Sequence, residues 1–312
     1  GGAITISATA VTINTGIDLV STGLGSTILL KAKQWIDVIN ATTTNVKATD
    51  ASHSVIQSNN GDIIFWADSD ANEQGLIWVS HNATINSANG VQSYGAATGG
   101  GDVILAGGAD DGSGRPSGYA WDNGSRNGSA LNDLGVGFGK FVDLFTGGGD
   151  LVIRAKAKNA GIAAFSFQGP SNFVTGTGQI TIDAQAVSNV EAFEYYTLAD
   201  PGSLFSSHAT TSPAISISAV SANQVALDMR NSDSTKPTTF QSLASTGGGV
   251  SITANRTSSL TGAAGRLGAV NILSRNGAIT LSSDAVFEIS TNGRTQKWGS
   301  GSGTDVTSSS AD

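Results

Sequence analysis

The feature that most constrains this chain is an alternation of aliphatic and small polar residues, repeated from end to end in short runs. Ala3-Ile4-Thr5-Ile6-Ser7, Val11-Thr12-Ile13, Gln179-Ile180-Thr181-Ile182-Asp183, Ala214-Ile215-Ser216-Ile217-Ser218, Val250-Ser251-Ile252-Thr253 and Ala278-Ile279-Thr280-Leu281 all show it. A period of two puts the aliphatics on one face of a strand and Ser, Thr or Asn on the other. Helical periodicity is nearly absent, because glycines and β-branched residues interrupt almost every window long enough for a helix. The chain is expected to be all-β, with each strand buried on one face and wet on the other.

The strands share a lead-in. Gly61-Asp62-Ile63-Ile64, Gly101-Asp102-Val103-Ile104, Gly149-Asp150-Leu151-Val152, Gly249-Val250-Ser251-Ile252 and Gly277-Ala278-Ile279-Thr280 each follow glycine or asparagine. This reads as a turn needing positive φ, then a strand. The repeat is irregular in length but continuous, the mark of a solenoid in which stacking buries a face that one unit cannot bury alone. Aromatics are only 6%, too few for the usual sandwich core, and the inward residues read as Ile, Val, Leu and Ala. The expected fold is a right-handed parallel β-helix (β-solenoid) with loop excursions. At roughly 20 to 27 residues per coil and about 4.8 Å per rung, it would make on the order of a dozen rungs spanning about 60 Å.

Composition narrows the function classes. With 312 residues, 39% of them hydrophobic and only 13% charged, the chain has enough apolar surface to fold. It has no cysteine, so disulfides and thiolate metal sites are excluded. A net charge of −8 and a pI near 4.7 argue against nucleic acid or anionic lipid as partner. No apolar run approaches the roughly 18 residues a membrane helix needs, so no membrane insertion is expected. The chain opens on Gly1-Gly2 and reads as a mature or excised portion of a longer product.

Residues 1–290 read as a single solenoid. Two stretches break its rhythm: 107–147, with Tyr119, Trp121, Phe138, Phe141 and Phe145, and 186–212, with Phe193, Tyr195, Tyr196 and Phe205. Both are expected to be excursions packing aromatics over a flank. Residues 291–312 read as a polar C-terminal tail.

The segments 60–79 (NGDIIFWADSDANEQGLIWV), 99–108 (GGGDVILAGG), 147–157 (GGGDLVIRAKA) and 275–283 (RNGAITLSS) resemble the repeats of filamentous-haemagglutinin-like exoproteins. Those are large β-helical bacterial adhesins, many exported by two-partner secretion. The likeness covers most of 1–185 and about 245–290. It implies a parallel β-helix, an extracellular or cell-surface location, and a structural or adhesive role. The family's amino-terminal secretion domain is not evident in this sequence.

Candidate sites are few. Asp68, Asp70 and Asn72, with Glu73 next, have the alternate oxygen ligands calcium uses, without the glycine and distant glutamate of an EF-hand loop; Asp110-Asp111 is a lesser version. Otherwise no cofactor is expected. Asp62, Asp102 and Asp150 share one position in the lead-in and could form a row of carboxylates, as in polysaccharide-cleaving β-helices, or cap their own turns. No cluster of basic residues accompanies them in sequence. His53, His81 and His208 belong to no metal or catalytic pattern, and no catalytic residue is assigned. Trp66, Trp78, Tyr119 and Trp121 are candidates for stacking on sugar rings; the alternative is that they seal the coil.

The expected function is a rod-like structural or adhesive module of a secreted or surface protein, not an enzyme. Its partners would be other copies of itself, or flanking segments of a longer chain, at the coil's ends, with surface glycans or host receptors as further partners. The alternative is a β-helical polysaccharide-binding or polysaccharide-degrading protein. Carboxylates grouped with a basic residue on one face would support that alternative.

Overall fold

A strand with one apolar face must lay it against another strand, and here each turn of the chain does so against the next. The computed structural model describes residues 2–40, 52–122, 134–158, 163–188, 190–195, 202–222, 225–230, 237–258 and 262–291, and the backbone of 294–298 and 306–309. Every regular element among the described residues is a β-strand, and none is a helix that could cross a membrane.

The strands form three sheets, of 12, 10 and 8 strands, each built in sequence order. A turn contributes one strand to the first sheet (A), one to the second (B) and one to the third (C). Turn 5, for example, runs Leu151–Ala157, Phe165–Phe167, Asn172–Val174. Successive turns pair parallel and in register. One inward position of sheet A recurs at residues 4, 28, 63, 103, 151, 180, 215, 250 and 279, at spacings of 24, 35, 40, 48, 29, 35, 35 and 29. The turns are therefore mostly longer than the expected 20 to 27 residues, and nine of them rise only about 40 Å. Three sheets and three corners need more chain per turn than the alternation itself reveals.

Two columns of residues, one of glycines and one of hydroxyls, hold the corner between sheets C and A. The glycines that precede the strands stack on one another: a Cβ on Gly149 would lie 2.1 Å from the Gly101 carbonyl oxygen, and one on Gly101 2.3 Å from that of Gly61. Positive φ lies earlier, at Asn60 (61°) and Gly148 (122°), and not at Gly61, Gly101, Gly149 or Gly277. The expected positive-φ turn thus precedes the strand at Asn60, Gly148 and Gly248, while the lead-in glycines at 61, 101, 149 and 277 are required by close backbone approach. Of the five lead-ins, only that of Gly249 combines the two, with φ at 113°. Three residues ahead of several of these glycines a buried hydroxyl donates to the glycine carbonyl: Ser58 to Gly61, Thr146 to Gly149, Thr175 to Gly178 at 2.6 Å and Ser274 to Gly277 at 2.7 Å. This satisfies carbonyls that the corner would otherwise bury unpaired.

The interior of sheet A is aliphatic except for Phe65, and so are those of sheets B and C in the first three turns, but from Phe138 on sheets B and C add rings. Phe173, Phe205 and Phe240 stack turn upon turn with centroids 4.5 and 4.7 Å apart, and Phe165 lies 4.9 Å from Phe193. Rings at that spacing match the distance between neighbouring strands. Small inward residues of sheet A, Ala155, Ala184, Ala219 and Ala254, belong to the same core cluster. The expected second excursion at 186–212 is corrected accordingly. Phe193 and Tyr195 are on a sheet B strand and Phe205 on a sheet C strand, all buried; Tyr196 lies outside the described residues. Phe138 is likewise a core strand residue, and Phe145 lies on a sheet C strand, buried against Tyr94 on the side away from the core, so the first excursion does not extend to 147.

What does leave the coil is a hairpin. The strand Val103–Asp110 turns back as Pro116–Gly118, pairing Gly107 with Gly118 and Asp110 with Pro116. The chain re-enters sheet A at Ala120–Trp121, in register with Ala155 and Lys156. Turn 4 is the longest for this reason. At the far end, Arg294–Trp298 and Val306–Ser309 lie antiparallel on Val286–Thr291 and Ala278–Ser283. The expected polar tail thus adds two strands that cover sheet edges.

Candidate functional site

The hairpin folds over the outer face of sheet A because that face is apolar where it lands. Ile64, Trp66, Ile104 and Ala106 form a second buried cluster on the side away from the core. Trp66 donates its indole N–H to the Gly108 carbonyl at 2.7 Å, with the Lys31 ammonium 3.6 Å from its ring centroid. Trp66 is 1% exposed and Trp78 4%, so neither can stack on a sugar, and both are withdrawn as ligand candidates. Trp78 packs with Leu76 and Leu134 over sheet B. A Cβ on Gly137, one turn on, would strike its ring at 2.6 Å.

Tyr119 and Trp121 remain half-buried beside the hairpin's return. The Lys156 ammonium lies between them, 5.4 Å from the Tyr119 ring centroid and 4.8 Å from that of Trp121. The Tyr119 hydroxyl donates to Asp183 at 2.6 Å and accepts from the Gln185 amide at 2.5 Å. Burial, then Asp183, raises the Tyr119 pKa well above its ordinary value. Arg154, two residues before Lys156 on the same outward face, donates to the Pro116 carbonyl at 3.2 Å. Among the described residues neither Arg154 nor Lys156 has a carboxylate within ion-pair distance.

The aspartates that open the sheet A strands do form a column. Asp62 Oδ1 accepts the Asp102 amide at 2.9 Å, Asp102 Oδ1 the Asp150 amide at 2.9 Å, and Asp150 Oδ1 the Gln179 amide at 2.8 Å. Each carboxylate caps the following turn, not its own. Arg115 from the hairpin donates to the second oxygens of Asp62 (2.5 Å) and Asp102 (2.8 Å). A basic residue therefore does accompany the row, delivered from a loop whose position the sequence does not reveal. The hairpin tip is tied internally: Asp110 Oδ1 accepts the amides of Gly112 and Gly114, and Asp111 Oδ1 those of Ser113 and Arg115.

Asp68 is buried, 1% exposed, in a left-handed conformation with φ at 47°. Its Oδ1 accepts the amides of Asn72 (2.8 Å) and Gln74 (3.3 Å), and the Asn72 side-chain amide donates to Asp70 at 3.3 Å. Burial raises the Asp68 pKa to about 6 against the opposing effect of those amides. The calcium candidates thus shape their own turn, and no group of three or more His, Cys, Asp or Glu among the described residues could hold a metal ion. The histidines are dispersed: His53 meets the Thr84 hydroxyl at 2.9 Å, His81 Nδ1 accepts the Lys140 amide at 2.8 Å, and His208 lies 3.2 Å from the Tyr94 carbonyl.

Sequence reasoning missed a charged ladder on the outer face of sheet B. Glu194, Asp228, Arg266 and Glu288 occupy one in-register position on successive turns. Arg230 grips Asp228 with Nε at 2.8 Å and Nη2 at 2.5 Å, and Arg266 reaches Glu288 at 3.2 Å. Burial, then Glu191 and Asp228, raises the Glu194 pKa to about 7. The signal was present in Phe193-Glu194-Tyr195 and Leu227-Asp228-Met229, where a charge alternates with large apolar residues.

Fold and surface together define an all-β, solenoid-like coil carrying one clamped hairpin. Compared with protein-family models, curated proteins and solved structures, the chain matches none.

Proposed function

We propose that this chain is a right-handed parallel β-helix that serves as a stiff structural or adhesive module of a secreted or surface-exposed bacterial protein of the filamentous-haemagglutinin-like kind. One observation carries the reading: an unbroken inward column from Ile4 to Ile279, in register across nine turns. A continuous core with no break between turns makes a rod, and a rod presents loops and polar faces. Right-handedness follows the strong preference of parallel crossover connections. Partners, as other copies or flanking chain, belong at the end formed by Ile4–Ala8, Val11–Ile13 and Leu19–Leu24. Each of those strands has a sheet neighbour on one side only, and Ile17, Val20 and Leu24 are 46%, 43% and 79% exposed nearby. The opposite end carries antiparallel strands on sheets A and B, which do not continue a parallel coil. Small-angle scattering together with electron microscopy of the purified chain tests this. Nine turns alone rise only about 40 Å, so end-to-end association through the first turn into rods is expected; a chain that stays a single short particle at all concentrations overturns it.

The polysaccharide-degrading alternative is favoured by two groups of carboxylates with basic residues, the Asp62–Asp102 row joined by Arg115 and the Glu194–Asp228 pair flanked by Arg230 and Arg266. In the second group, two carboxyl groups one rung apart, one of them with its pKa pushed up to about 7 by burial, are placed as acid–base catalysis requires. A reducing-end assay over a panel of polysaccharides tests it: turnover abolished by Glu194→Gln supports it, and an inert panel overturns it.

A further inference from the structure

We propose that Lys156, with the flanking rings of Tyr119 and Trp121, is a docking point for a carboxylate-bearing glycan, a chain of uronic-acid units. The inference rests on the rod reading above and gives its displayed face a ligand class.

Three observations converge on this patch. The first is charge. The protein has only 16 basic residues and a net charge of −8, yet Arg154 and Lys156 stand on one outward strand face without a carboxylate partner among the described residues. Elsewhere around the hairpin the cations are consumed: Arg115 by Asp62 and Asp102, and Lys158 by Glu73 at 2.9 Å. Asp183 stands in register with Arg154 one rung on but is engaged by the Tyr119 hydroxyl, so the two cations still leave the patch with an excess of positive charge that complements an anion.

The second is the rings. Tyr119 is fixed by Asp183 and Gln185 through its hydroxyl, and Trp121 by backbone bonds to Gly75 at 2.8 and 3.3 Å. Both stay partly exposed. Held aromatic faces beside an ammonium suit a sugar ring, which brings C–H groups to the aromatic face and its carboxylate to the cation.

The third is shape. Arg154 and Lys156 project from alternate positions of a strand, roughly 6.6 Å apart. The next rung of the same face carries Thr181, Asp183 and Gln185, the last two bonded to Tyr119, and beyond it lie the small polar residues Ser216, Ser218, Ser251, Thr253, Thr280 and Ser282. A flat polar track leading to a cationic point suits an extended, stiff polymer.

The test is titration calorimetry of the full 312-residue chain with α-1,4-linked hexagalacturonate and with its methyl ester. The ester keeps the rings and removes the charge. Binding of the acid and not the ester, weakened at least tenfold by Lys156→Gln, largely retained by Lys156→Arg and falling with added salt, supports the inference. Equal binding of acid and ester, an unchanged Lys156→Gln variant, or no binding of the acid overturns it. Circular dichroism and scattering on the same samples separate the two proposals. End-to-end rods that bind no uronate overturn the docking point alone, whereas a chain that stays a single short particle overturns the rod reading whatever it binds.

Discussion

The carboxylate of Asp102 accepts the backbone amide of Asp150, the equivalent residue one turn further on, at 2.9 Å. The same bond joins Asp62 to Asp102 and Asp150 to Gln179, making a side-chain rail along one corner of the coil. Turns of 40, 48 and 29 residues therefore start their sheet A strands in the same register, because the rail aligns the first residue of each whatever loop preceded it. Asp102→Ala leaves the Asp150 amide without its acceptor and frees one arm of Arg115; a loss of about 1–2 kcal/mol is expected. Asp102→Asn, which keeps an acceptor oxygen, should lose less. Urea denaturation of the two variants checks this, and equal losses would count against the rail.

Phe205 sits between Phe173 and Phe240 at 4.5 and 4.7 Å and is fully buried. Phe205→Ala removes a ring from the middle of a stack and leaves a cavity, costing about 3–5 kcal/mol. Phe205→Leu should cost appreciably less. The midpoint of denaturation measures both, and a Phe205→Ala loss below about 1 kcal/mol would mean the rings are not a packed column.

Gly149→Ala should be among the most damaging single-methyl changes in the protein, since its Cβ would meet backbone at 2.1 Å. A loss on the order of 3 kcal/mol is expected, because backbone cannot yield as a side chain can. Gly2→Ala, with nothing within 4 Å of the new methyl, is the matched control and should be neutral. Thermal unfolding of the pair decides it.

Stability should depend on pH in an unusual sense. Glu194 is held at about 7 and Asp68 at about 6, both chiefly by burial. The folded chain keeps these protons where the unfolded chain has released them. Their contribution is complete below the ordinary carboxylate range and is lost as pH rises through about 6 and 7. His81, whose pKa burial lowers from 6.5, acts oppositely and weakens the fold as pH falls. The cleanest readout is therefore a difference: Glu194→Gln should remove a decline in denaturation midpoint between pH 6 and 8 that the parent chain shows. Parallel curves for the two proteins would refute the assignment.

Several strands were legible from alternation alone. Ile4–Ala8, Ile180–Ala186, Ile215–Ser221, Val250–Arg256 and Ala278–Ser283 each contain one of the alternating runs. These are sheet A strands, five to seven residues long, with one wet face. Sheet B strands such as Phe165–Phe167 and Phe193–Tyr195 are three residues long, too short to show a period, so their rings read as loop aromatics. Ile63–Ala67 is buried on both faces; the sequence marked an excursion beginning at 107 but not that it folds back as a hairpin over this strand. Of the candidate residues, Tyr119 and Trp121 were named from the sequence, but Lys156 and Arg154 were not. Their pairing with the rings depends on where a distant hairpin re-enters the sheet.

By itself the sequence determined strand chemistry: where aliphatics alternate, where glycine recurs, and that disulfides and thiolate metal sites are excluded. Alternation and composition are read within a few residues, whereas the reason glycine stands at 61, 101 and 149, the backbone of the turn before it, belongs to the packed stack. Only the tertiary structure decided how long each turn is, which rings enter the core, and which cations find partners. These depend on register between strands 24 to 48 residues apart, and register is a property of the packed stack, not of any one segment within it.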